Sequence, residues 1–98
     1  MAEINWTVES EKWLKDIHDY IAHDNPSAAK RVILGIYEKA QILQKYPKIG
    51  HKYNYESRED IRILLYGHYR IVYLIKSDKN IDILGVFHGA LEIDKYLF

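Results

Sequence analysis

Tyr69-Arg70-Ile71-Val72-Tyr73 and Ile83-Leu84-Gly85-Val86-Phe87-His88-Gly89-Ala90 decide the fold, with the polar cluster Ser77-Asp78-Lys79-Asn80 between them. Both runs are rich in β-branched and aromatic residues, which suit a pleated surface. Two such runs joined by a short polar turn read as an antiparallel hairpin. Alternate residues of a strand share a face, so Tyr69, Ile71, Tyr73 and Ile75 form one face, and Ile81, Ile83, Gly85 and Phe87 another. Matching these faces predicts a three-residue loop Asp78-Lys79-Asn80 with Asn80 left-handed. That register sets Ser77 opposite Ile81 and Arg70 opposite His88, on the sheet face away from any helices. A fixed cation then stands beside a titratable imidazole.

The chain upstream changes period twice. Ile4, Trp6 and Val8 alternate from Glu3 to Val8, which predicts a short strand. From Glu9, residues Trp13, Leu14, Ile17, Tyr20 and Ile21 recur at helical spacing. The spacing predicts a helix over Glu9–His23. Asn25 is a good N-cap and Pro26 suits the first helical position, so a second helix is predicted over Pro26–Tyr46. Gly35 inside it costs about 1 kcal/mol against alanine and implies a close approach to the sheet or the first helix. His51 to Asp60 reads as a polar loop. Ile61–Tyr66 is a strand, and Gly67-His68 suits a type II′ turn that sets Tyr66 opposite Tyr69. This turn places Arg62 on the face opposite Arg70. The tail Leu91–Phe98 ends in Tyr96-Leu97-Phe98 and is expected to dock on the domain. The sum is an α+β domain over residues 1–98: an N-terminal strand, then an antiparallel two-helix hairpin packed on a mainly antiparallel sheet of about four strands.

Composition bounds the function. Ninety-eight residues, 48% apolar and 29% charged, suit one folded domain with one modest core. Without cysteine the chain has no disulfide framework and no thiol chemistry. It has neither a signal-peptide pattern nor an apolar run that could span a bilayer, so the expected location is the cytoplasm, with no membrane partner. Net charge is zero, but Met1–Pro26 carries six acids against Lys12 and Lys15, and Ser27–Asn54 six bases against Glu38. The acidic segment argues against nucleic acid on that face, and the basic one could meet an acidic partner. His18 and His23 are five apart on one helix, where zinc pairs use a spacing of four, so no metal is expected. No phosphate-binding glycine loop and no serine elbow occurs, and no cofactor is expected. Glu56, Glu59 and Asp60 could pair as carboxylates, although such loops are usually only solvated. Arg62, Arg70 and His88, with Lys52, Tyr53, Tyr55 and Arg58 on the adjoining loop, suit a phosphate-and-base surface or a protein interface equally well.

These residues resemble a known family. Trp6, the Ile17…Tyr20-Ile21-Ala22 helix end, Asn25-Pro26-x-Ala28-Ala29, Leu43…Pro47-x-x-Gly50, Arg62…Tyr69-Arg70-Ile71-Val72-Tyr73 and Ile83–Ala90 look like the ParE/RelE superfamily of bacterial type II toxins. The resemblance runs nearly the full length in motif order. It implies a toxin of a plasmid-stabilisation type, neutralised by a cognate antitoxin that wraps it, and assembled as a homodimer or a toxin–antitoxin hetero-oligomer. RelE-like members cut mRNA on the ribosome and ParE-like members poison DNA gyrase. In the nuclease branch the Arg of the Tyr-Arg strand contacts the reacting phosphate, and Arg70 matches it. His88 matches a proton-transferring His there, but Gly89 stands where a Tyr would follow. Ile61, Ile63 and Leu64 fill the region of the RelE-type lysines. His88-Gly89-Ala90 looks like the ParE-branch strand end. Gyrase inhibition is therefore the favoured expectation. A ribosome-dependent nuclease using Arg70 and His88 is the alternative, and an inactive antitoxin-binding domain the third. Arg62, Tyr69, Tyr73 and Arg58 are the candidate functional surface.

Overall fold

Helix α1, Val8–Ala22, starts one residue earlier than its spacing suggests, because Thr7 takes the N-cap. The Thr7 hydroxyl accepts the Ser10 amide at 3.1 Å and donates to the Ile83 carbonyl at 2.6 Å. One side chain thus satisfies an orphan helix donor and ties the helix to a strand. The computed structural model describes residues 1–53 and 59–89. Asn25 caps helix α2, Pro26–Gln41, by accepting the Ala28 amide at 3.1 Å, with Pro26 in the first turn. A 3₁₀ turn over Ile42–Gln44 finishes what the sequence reads as helix to Tyr46. Strand β1 is Glu3–Trp6, so Val8 belongs to the helix and not to the strand.

Beyond the helices lie β2, His51–Lys52; β3, Asp60–Tyr66; β4, Tyr69–Ser77; and β5, Asn80–His88. Among the described residues the sheet has five strands in the order β1-β5-β4-β3-β2, one more than expected. The addition is β2, two residues in the stretch read as loop, paired antiparallel to Ile63 and Arg62. β1 pairs parallel with β5, from Glu3↔Asn80 to Trp6↔Ile83. All other pairings are antiparallel.

The helical hairpin covers one sheet face. Leu14, Ile36 and Leu43 pack there with Leu64, Ile71, Tyr73, Ile81, Ile83 and Val86. Fully buried Ile and Leu side chains each contribute about 1.5–3 kcal/mol, so this layer dominates the stability. A smaller cluster of Ile61, Ile63, Val72 and Phe87 fills the other face, with Trp13, Tyr53, Leu74 and Leu84 against it. Gly35 fits the close approach that its cost implied: a Cβ there would overlap the Tyr66 hydroxyl of β3. Gly67 has φ +56° and His68 does not share the left-handed region, which suits a type II′ turn and sets Tyr66 opposite Tyr69.

The β4–β5 register differs from the expected one. Asp78 and Lys79 form a two-residue turn, and Ser77 faces Asn80 rather than Ile81. Asn80 is not left-handed, since among the described residues no residue but glycine has positive φ. Register shifts follow on each strand, at Lys76 of β4 and at Leu84 of β5. They are bulges, each one extra residue, and they offset one another. The result sets Arg70 opposite Phe87 and Tyr69 opposite His88.

Candidate functional site

Directly opposed residues on neighbouring strands point to the same face. His88 therefore shares the helix-side face with Tyr69, their ring centroids 5.9 Å apart and edge-on. Arg70 shares the other face with Phe87 and Val72. The expected cross-strand pair of Arg70 and His88 is overturned, because the Leu84 bulge exchanges the two faces for the last residues of β5. Arg70 instead sends Nη2 toward the Gly89 carbonyl at 3.4 Å. Gly89 donates its own amide to the His68 carbonyl at 2.8 Å, drawing the end of β5 onto the β3–β4 turn. The His68 and His88 rings then lie 6.4 Å apart.

Arg62 is on the face opposite Arg70, as its turn requires. It is a structural anchor. Its Nε meets Asp60 at 2.9 Å and its Nη1 donates to the carbonyls of Lys48 and Gly50, at 3.1 and 3.0 Å. Tyr73, opposite Arg62, is wholly buried and so forms no part of a surface. Its hydroxyl donates to the Pro47 carbonyl at 2.7 Å and accepts the Gly50 amide at 3.0 Å. Burial pushes the Tyr73 phenol above its ordinary value, and the Gly50 hydrogen bond partly offsets this. Together Arg62 and Tyr73 fasten the loop after α2 to the sheet. Arg58, Tyr55, Glu56 and the tail Leu91–Phe98 lie outside the described residues. Glu59 is exposed, and Asp60 is committed to Arg62.

Around Tyr69 and His88 the structure assembles a groove of about 410 Å³ that sequence reasoning did not single out. Ile17 and Val86 form its apolar floor. Trp13, Tyr20 and Tyr69 supply rings, and Asp16 and His88 supply the polar groups. Trp13, Asp16, Ile17 and Tyr20 fall at successive intervals of three, one and three along α1, which is one helix face. That spacing is legible in the sequence, but the strand end facing it is not. β1 pairs with β5 only as far as Ile83, and beyond it Val86 and His88 of β5 line the groove with α1. Trp13 there packs edge-on against Phe87, centroids 4.6 Å apart. Among the described residues no group of three or more His, Cys, Asp or Glu side chains could hold a metal, and no helix is long and apolar enough to cross a membrane.

Comparison with known proteins places this geometry in a family. The chain is 34% identical over 86 residues to the Sinorhizobium fredii protein named "Putative toxin Y4kP", covering 88% of this chain and 86% of that one. Its fold matches a solved structure of the chromosomal ParDE toxin–antitoxin system from P. aeruginosa, with TM-score 0.73, 24% identity, and coverage of 90% of this chain and 96% of that chain. Residues 4–92 match the family model of the ParE toxin of the type II toxin-antitoxin system parDE. The chain therefore belongs to the ParE toxin family of type II toxin–antitoxin systems.

Proposed function

We propose that this chain acts in the cytoplasm as a single-domain toxin that binds and inhibits DNA gyrase, and that a cognate antitoxin neutralises it. The observation carrying this reading is the separation of Arg70 and His88 onto opposite sheet faces. In-line cleavage of RNA needs charge stabilisation and proton transfer at one phosphate. Two side chains divided by the sheet do not serve one phosphate together. Charge supports the same choice. Ribosome binding draws on many Lys and Arg contacts to phosphates, whereas net charge here is zero and α1 is acidic. A gyrase-binding toxin needs a rigid surface and no acid–base pair, and the two-layer core supplies the rigidity.

The test uses purified, antitoxin-free protein in two assays. One follows gyrase supercoiling and accumulation of cleavage complexes. The other follows mRNA cleavage on programmed ribosomes, with Arg70→Ala and His88→Ala alongside. Gyrase inhibition without mRNA cleavage is expected. Ribosome-dependent cleavage abolished by either substitution, with gyrase unaffected, overturns the proposal in favour of the nuclease.

A further inference from the structure

The groove between α1 and the end of the β4–β5 hairpin has an unusual lining for an apolar pocket. Three aromatic rings, Trp13, Tyr20 and Tyr69, surround it together with one carboxylate, Asp16, and the His88 imidazole. Its neighbour Asp19 is held by Lys15 at 2.9 Å and lies 3.2 Å from the His18 ring. Asp16 makes no ion pair among the described residues and is exposed. Tyr20 is 83% exposed, too open for a ring whose only role is packing. Rings and a carboxylate lining one groove favour a cation, which the aromatic quadrupoles and the formal charge attract. Over residues 1–26 the sequence carries six acids against two bases, and Lys15 lies close enough to Asp16 to feel its charge.

We propose that this groove receives an arginine side chain of the antitoxin, its guanidinium set against Asp16 and stacked on Tyr20, its methylenes over Ile17 and Val86. Arginine fits better than lysine because its planar head can stack on a ring while donating to a carboxylate. The aliphatic stem suits the apolar floor. The assignment rests on the toxin–antitoxin reading, since it names that partner.

The test measures the Kd of the complex by calorimetry, with the full-length antitoxin encoded beside this chain. Toxin variants are Asp16→Asn, Tyr20→Ala and Tyr20→Phe. Each Arg of the antitoxin's toxin-binding segment is changed singly to Gln and combined with Asp16→Asn in a double-mutant cycle. Asp16 and Tyr20 are exposed, and thermal melts verify that each variant is folded. Asp16→Asn and Tyr20→Ala are each expected to weaken binding by about tenfold. Tyr20→Phe should retain most affinity. One arginine substitution should lose its effect when Asp16 is already Asn. Binding within about twofold of wild type for Asp16→Asn overturns the proposal. If Tyr20→Ala alone weakens the complex, an apolar side chain fills the groove and the cation assignment fails. If wild-type protein forms no complex, the toxin–antitoxin reading itself fails, and the proposal with it.

Discussion

The Tyr73 hydroxyl accepts the Gly50 amide at 3.0 Å, 23 residues away in sequence, at the buried middle of β4. The same oxygen donates to the Pro47 carbonyl, so one phenol closes the loop between α2 and β2. Tyr73→Phe keeps the ring and removes both bonds, leaving the Gly50 amide without its acceptor. A buried donor stripped of its partner costs about 1–3 kcal/mol. Urea titration should show that loss as a lower midpoint with an unchanged slope.

The same phenol sets an alkaline limit. Burial raises the Tyr73 pKa above the ordinary 10.0. Burial, followed by the nearby Glu11 carboxylate, raises that of Tyr37. The unfolded chain ionises first, so stability from these neutral phenols is present below about pH 10 and falls as pH rises through the folded-state values. Denaturant midpoints measured from pH 8 to 11 should decline above about pH 10. Tyr73→Phe should flatten that decline. An unchanged slope in that variant would show the phenol to be no part of the limit.

Thr7 joins two layers. Thr7→Ala removes the cap on α1 and the 2.6 Å bond to the Ile83 carbonyl. The expected cost is about 1–2 kcal/mol, read as a Tm lowered by several degrees. Thr7→Ser retains both oxygen contacts and should lose much less.

Arg70 and His88 should act independently. They stand on opposite faces, so any free-energy losses of Arg70→Ala and His88→Ala in the gyrase inhibition proposed above should add in the double variant. A double variant no worse than the more damaging single one would reveal a shared role.

The helical hairpin was legible because Asn25-Pro26 supplies a cap and a first-turn proline at one point. The β3–β4 hairpin was legible because Gly67 permits only a few turns. The β4–β5 register was not. From Ile83 to Phe87 every residue except Gly85 is apolar, so alternation cannot say which of Val86 and Phe87 faces the helices. Both are buried, one on each face, and the Leu84 bulge decides which. β2 escaped notice for another reason. His51 and Lys52 have no strand pattern of their own, and the anchoring of the preceding loop by Tyr73 and Arg62 brings them to β3. In sequence, Arg62 and Tyr73 suit a surface, because an aromatic and a cation near Arg70 fit an interface. Their hydrogen bonds to a distant loop are tertiary facts that no local window contains.

The parallel pairing of β1 with β5 sets an order of events during synthesis. The first strand of the chain finds its partner only in the last described one, and Thr7 reaches an acceptor 76 positions later. While a ribosome is still making the chain, β1 has nothing to join and α1 has no finished platform to lie on. At about 5–20 residues per second the interval lasts several seconds. β2, β3 and β4 can pair in turn as they emerge, but β1 must wait for β5. The β1 pairing and the Thr7 tie therefore wait until Ile83 has left the ribosome.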